Sequence, residues 1–181
     1  MEDEQLSQEH DRFVALFDGL FISTNSWMTG TPKAKQDWVP FDNPNMKFGD
    51  RISTITIRSV YIHTLVGEHF WARTLKDCED GAVLKHDRDR VVALTEKLTG
   101  SDDLIGDAME LHEENIRLFR SYSADQLEKK IKWSGREWTV MGFLWAIYSH
   151  RSYHLGNIDI FMREADEAAP DFFSNFQDVM A

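Results

Sequence analysis

The sequence predicts an all-α fold, an antiparallel four-helix bundle with a long loop between helices 1 and 2. Three observations predict it. Four long segments carry apolar residues at three- and four-residue steps, the signature of an amphipathic helix. Glycine, proline and capping residues fall between those segments. The chain has 181 residues, 42% of them apolar and 12% aromatic, with no internal repeat or low-complexity tract. That is a globular composition, and a domain of this length buries roughly 70% of its unfolded surface. One domain is expected over residues 1–181, with its core at about 6–163 and a tail at 164–181.

The first helix is expected from about Gln5 to Trp27, on the stripe Leu6, Phe13, Phe17, Leu20, Phe21 and Trp27. Gly30 and Pro32 end it. Thr29 to Asp50 contains three of the four prolines and reads as a long loop. Long loops are uncommon within compact domains and are often lids, and Trp38, Phe41 and Phe48 give this one the means to pack down. The second helix is expected from near Ser53 to Lys76, with Ile55, Val60, His63, Val66 and Phe70 inward. The β-branched run Ile55-Thr56-Ile57 makes a short strand the competing reading. A connection follows at Asp77 to Lys85, then a short helix at about Arg88 to Leu98. Gly100-Ser101-Asp102 is a stop and cap before the third long helix, which runs to about Tyr122. Ser134-Gly135 is a turn. The last long helix is expected from near Trp138 to Arg163. Phe172, Phe173 and Phe176 make the tail aromatic-rich.

The formal net charge of −11 argues against nucleic acid or an anionic membrane as partner, because phosphate binding needs clustered Lys and Arg. Lys129, Lys130 and Lys132 form the single basic cluster, read as a solvated helix end. Cys78 is the only cysteine, so an intramolecular disulfide and a cysteine-based structural zinc site are both excluded. No stretch of 18 apolar residues predicts a membrane span. Met1-Glu2-Asp3-Glu4 lacks the apolar run of a secretory signal, and a cytoplasmic location is expected.

The chemistry-bearing residues are histidines. His150 and His154 lie four apart on the last helix, which sets both rings on one face. They continue the stripe of Phe143, Ile147, Ile158 and Phe161. His63 lies in line with Val60, Gly67 and Phe70 on the second helix. Three core-facing imidazoles on two helices suit one divalent metal ion, because buried imidazoles need partners and the i, i+4 pair chelates without backbone strain. The competing reading gives each histidine a buried hydroxyl or carbonyl instead. No histidine has Glu three residues before or after it, and His-Glu-x-x-His is absent, so a di-iron carboxylate site and a zincin protease are unsupported. A mononuclear three-histidine site remains. It needs neutral imidazoles, so the ion should leave as pH falls below about 6. His69 points to another face and is read as surface or rim. His10 and His86 lie among polar neighbours, and His112 is read as a packed histidine. Asn115 and Tyr153 are candidate pocket residues for which packing and exposure are the plainer roles. Cys78 lies too far along the second helix to serve as nucleophile.

The stretch from His63 through Gly67 and Glu68 to Trp71, the motif His150-Arg151-Ser152-Tyr153-His154-Leu155-Gly156-Asn157-Ile158 and the helix start Trp138-Thr139-Val140 resemble the DinB-like (YfiT-like) family of metal-dependent four-helix-bundle enzymes. The likeness in order and spacing covers about Leu6 to Arg163. Family members often have Arg after the last His and Gln after the Gly, where this chain has Leu155 and Asn157. The resemblance implies metal ligation by His63, His150 and His154, with nickel or zinc foremost and iron or manganese as alternatives. It implies a homodimer acting on a small-molecule substrate, as a thiol-dependent transferase or a hydrolase. Some relatives use low-molecular-weight thiols. The alternative is a non-catalytic metal- or ligand-binding bundle of the stress response.

Overall fold

Four long helices frame the molecule: α1 (Glu2–Gly30), α3 (Ile57–Lys76), α5 (Leu104–Arg120) and α7 (Val140–Glu164). The computed structural model describes residues 2–39 and 55–168. Between the long helices lie α2 (Lys33–Gln36), β1 (Ala82–Val83), α4 (Arg88–Thr99), α6 (Ala124–Glu128), β2 (Lys130–Trp133) and β3 (Arg136–Thr139). In cross-section the order around the bundle is α1, α5, α3, α7. Asp18 and Phe21 of α1 meet His112 of α5 while Phe13 meets Phe119, so those helices are antiparallel. Glu9 of α1 bonds Trp145 of α7, and Lys35 just beyond α1 bonds the carbonyl of Ala165, so α1 and α7 run parallel. The helices therefore run up, down, down, up, and the crossover through β1 and α4 carries the chain from the end of α3 back to the start of α5.

Two apolar clusters fill the interior. One gathers Leu20, Phe21, Tyr61, Leu65, Ala108 and Ile158, and the other Phe13, Phe17, Leu75, Phe119, Val140 and Leu144. The expected stripes supply most of these residues, since apolar faces at helical spacing can leave water only by facing one another.

Several boundaries differ from expectation for local reasons. α1 continues to Gly30, and the helical turn α2 follows Pro32, so the long connection begins later than Thr29. Trp38 is half-buried; Phe41 and Phe48 lie outside the described residues, as do Phe172, Phe173 and Phe176. Ile55-Thr56-Ile57 is not a strand. Thr56 caps α3, its hydroxyl accepting from Ser59 N at 3.0 Å while Ser59 Oγ accepts from Thr56 N at 2.7 Å. The cap of α5 is Asp103, one residue beyond the predicted stop, accepting from Gly106 N at 3.0 Å. His10 is not in polar surroundings. It is buried, because it shares the face of Phe13 and Phe17 while its charged neighbours Glu9 and Asp11 turn outward.

The strands occur where the sequence reading placed only a turn. β2 and β3 form an antiparallel hairpin that pairs Ile131 with Trp138 and Trp133 with Arg136. Ser134 and Gly135, at φ 51° and 75°, make the two-residue loop, whose positive φ values match the twist of the strands. β1 adds in parallel, Ala82 opposite Ile131. Thr139 ends β3 and caps α7, accepting from Gly142 N at 3.0 Å. Thr139→Ala should cost about 1 kcal/mol in a urea titration, the usual loss of an N-cap. No change in midpoint would mean that the hairpin alone fixes the start of α7.

Candidate metal centre

α3 and α7 are antiparallel neighbours, and that fixes which residues meet. His63, Gly67 and Trp71 recur every four residues on α3, and the facing stripe of α7 reads, in reverse, His154, His150, Ile147 and Phe143. The two ends of this pairing are visible in the ring contacts: His63 meets His150 and His154 at 5.1 and 4.9 Å, and Trp71 meets Phe143 at 5.1 Å.

At the histidine end, His150 Nε2 lies 3.2 Å from His63 Nε2 and 3.1 Å from His154 Nε2. Each of the three offers one ligand atom, and these atoms all lie within 4.8 Å of one another. An imidazole Nε2 has one in-plane site, filled by either a proton or a lone pair. His150 Nε2 faces two ring nitrogens at once, which one proton cannot bridge in good geometry, whereas one cation satisfies three converging lone pairs. Two imidazole nitrogens bound to one ion at ~2.05 Å lie ~2.9 Å apart at a right angle and ~3.3 Å apart at the tetrahedral angle. The two spacings at His150 fall between these limits and the third is within 4.8 Å, so the three donors can gather round a single divalent ion with a small adjustment of the His63 or His154 ring. Among the described residues no other His, Cys, Asp or Glu joins the three.

The surroundings prepare His154 for ligation. It is buried, and burial holds its pKa below the ordinary value, with the bond to Asn157 opposing the shift. Asn157 Oδ1 accepts from His154 Nδ1 at 3.2 Å, which leaves Nε2 with the lone pair. Asn157 stands where the resemblance led to Gln, and it takes the orienting role. Asn157→Leu should weaken metal affinity 10- to 100-fold, as for other residues that orient a ligand. A competition titration giving wild-type affinity would deny Asn157 that role.

Behind the imidazoles lies a buried ion pair. Arg151, 0% exposed, donates from Nε to Glu68 Oε1 at 2.5 Å and from Nη2 to Glu68 Oε2. Its guanidinium lies 5.2 Å from the ring centre of Phe21, and Nη1 has no hydrogen-bond partner among the described residues. Below His150 the slot between α3 and α7 widens into a cavity of about 220 Å³. Trp133 and Trp138 of the hairpin and Trp71 and Phe143 of the helices line it. Sequence reasoning gave none of these residues a role. The alternation of Ile131, Trp133 and Trp138 around a Ser-Gly loop is a hairpin signal that would have drawn two of the tryptophans together.

The remaining candidates lie elsewhere. His69 turns toward α5, where its Nδ1 bonds Asn115 Oδ1 at 2.9 Å, so Asn115 serves His69 and does not join the three-histidine cluster. Tyr153 is 65% exposed and touches His154 through ring contact at 5.0 Å. His112 is buried on Phe21, rings 3.7 Å apart, with Nε2 2.7 Å from Asp18 Oδ1. Its hydrogen bond holds the Asp18 carboxyl below its usual range. His86 is exposed and stacks on Phe70, and Cys78 is buried, its thiol pKa raised chiefly by burial.

Burial also depresses the pKa of His10 and His69. The unfolded chain then takes up protons before the folded one. Their contribution to stability is full above about pH 6.5 and is lost as pH falls from there through the lowered folded values. Metal-free protein should therefore melt at a lower temperature at pH 5.5 than at pH 7.5. A flat profile over that range would contradict this.

No protein-family model and no curated protein matches the chain. Solved structures do. A DinB-like protein, YjoA of Bacillus subtilis, superposes with a TM-score of 0.64 at 19% identity, over 88% of this chain and 96% of that one. The fold is DinB-like. YfiT of Bacillus subtilis, described as a probable metal-dependent hydrolase with an unusual four-helix bundle topology, superposes with a TM-score of 0.61 at 14% identity, over 88% of this chain and 89% of that one. The up, down, down, up order sets His63 on α3 against His150 and His154 on α7. No described helix is long and apolar enough to cross a membrane.

Proposed function

We propose that the chain is a mononuclear metal-dependent hydrolase whose ion is held by His63, His150 and His154. The convergence of three Nε2 atoms beside a cavity that His150 lines carries this reading. The likeness of fold to YfiT supports it. Three imidazoles without a fourth side-chain ligand among the described residues suit a catalytic rather than a structural ion, since a catalytic ion keeps a position open. Imidazole donors favour zinc or nickel. A divalent ion supplies Lewis acidity toward water and toward a carbonyl oxygen.

The protein's own residues do the rest. His63 and His150 are half-buried, while His154 is buried and oriented by Asn157. Trp71, Phe143 and Ile147 line the cavity beside His150 and make its walls apolar. The buried Cys78 is unsuited as a nucleophile, so the attacking group comes from solution. With water, the acyl C–O or C–N bond breaks, hydroxide joins the acyl carbon and the remaining proton goes to the leaving alcohol or amine. A small thiol in place of water would make the same site a transferase.

The test is turnover of a panel of carboxylic esters and amides by protein stripped of metal and then reloaded with zinc or nickel. Hydrolysis should require the ion and be lost in His63→Ala. Turnover that survives stripping would overturn the reading.

A further inference from the structure

The cavity beside His150 has a composition that selects its occupant. We infer that it is the pocket for the substrate's side group, and that it takes a small, uncharged aromatic ring, such as the ring of a benzoyl ester or amide. This rests on the hydrolase reading and adds the substrate class to it.

Size comes first. A cavity of roughly 150 Å³ suffices for benzene. The volume here is about 220 Å³, which holds one ring and a few further heavy atoms. Shape follows from the walls. Gly67 stands one turn beyond His63, and a methyl group there would come within 3.9 Å of His150 Cε1. The missing side chain keeps the passage between the histidines and the cavity wide. Ala146 does the same on the α7 side, being the smallest side chain in the lining after Gly67.

Charge decides between ligand classes. Glu68 is the one carboxylate in the lining, and both of its oxygens are engaged by Arg151. Away from the histidine end, a carboxylate or phosphate in the apolar chamber next to Glu68 would lose its hydration without gaining a counter-ion. The tryptophans do not frame a cage for a cation either. Trp71 meets Trp133 and Phe143 at 70° and 71°, and Trp138 meets Phe143 at 90°. Ring edges thus cover ring faces, and the walls present apolar aromatic surface to a further ring.

Trp71, Trp133 and Trp138 report on occupancy by their own fluorescence. Metal-free protein is titrated with benzamide, benzoate, acetamide and ethylbenzene, followed by tryptophan fluorescence and calorimetry. Benzamide should saturate, benzoate should bind at least ten-fold more weakly, and acetamide should not bind in the same range. Ala146→Phe fills the chamber and should weaken benzamide at least ten-fold. Gly67→Val narrows the same chamber from α3. It should weaken benzamide and ethylbenzene several-fold, and it remains informative if Ala146→Phe does not fold. Absence of saturable benzamide binding, equal affinity for benzoate, or benzamide binding that neither variant alters would overturn the inference. Metal content is measured on the same preparations before the ion is removed. Benzamide binding without stoichiometric metal leaves the pocket assignment standing and removes the hydrolase; stoichiometric metal without benzamide binding removes the pocket alone.

Discussion

Glu68→Leu is expected to destabilise the protein by about 3–5 kcal/mol, the cost of removing one partner of a buried ion pair. Glu68 is 1% exposed and Arg151 0%, so water cannot replace the lost carboxylate. The guanidinium would keep its contacts with the Phe17 and Phe21 rings, and Nη1 already makes no hydrogen bond among the described residues. Arg151→Met should cost a similar amount by leaving Glu68 buried and unpaired. Combining Glu68→Leu with Arg151→Met should recover much of the loss, because two apolar side chains need no solvation. Urea unfolding of the three variants measures this as a double-mutant cycle. Single variants that cost under about 1 kcal/mol would mean that the pair behaves like one on the surface. The pair also matters to the site, since it bridges α3 and α7 beside His150 and holds the two helices in the register that brings the imidazoles together.

Metal loading should have an effect of comparable size. Zinc or nickel at about 1,000 times its Kd should stabilise the folded chain by about 4 kcal/mol, provided that the unfolded chain does not bind it. A chelator should reverse the gain. His154→Ala should remove nearly all of it, because His154 is the buried and oriented member of the three. His112→Gln should retain it, because His112 bonds Asp18 on the α1–α5 side of the bundle. The measurement is the unfolding midpoint with and without metal. An equal shift in wild type and His154→Ala would place the ion elsewhere.

The helical stripes were legible in the sequence because burial imposes a period. Phe13, Phe17 and Leu20 on α1 and Phe143, Ile147 and Ile158 on α7 are in the core as their spacing requires. The convergence of His63, His150 and His154 was legible for the same reason, since each continues an inward stripe. His10 was misread because its charged neighbours Glu9 and Asp11 are adjacent in sequence but lie on other faces of the helix. The hairpin was missed because its strands are four residues each, too short to assert a period beside strong helical patterns. The Glu68–Arg151 pair spans 83 residues, and no local rule couples them. The cavity depends on where the hairpin docks against α3 and α7, which is a tertiary fact. Asn157 was visible only as a departure from a family pattern, and its bond to His154 gives that departure a physical role.

Metal analysis of protein purified without an affinity resin tests the central claim most directly. Wild type and His69→Ala should each carry about one divalent ion per chain, because His69 bonds Asn115 on another face, whereas His150→Ala should carry almost none, having lost the nitrogen that meets both other imidazoles. Equal metal content in His150→Ala and His69→Ala would contradict the three-histidine centre.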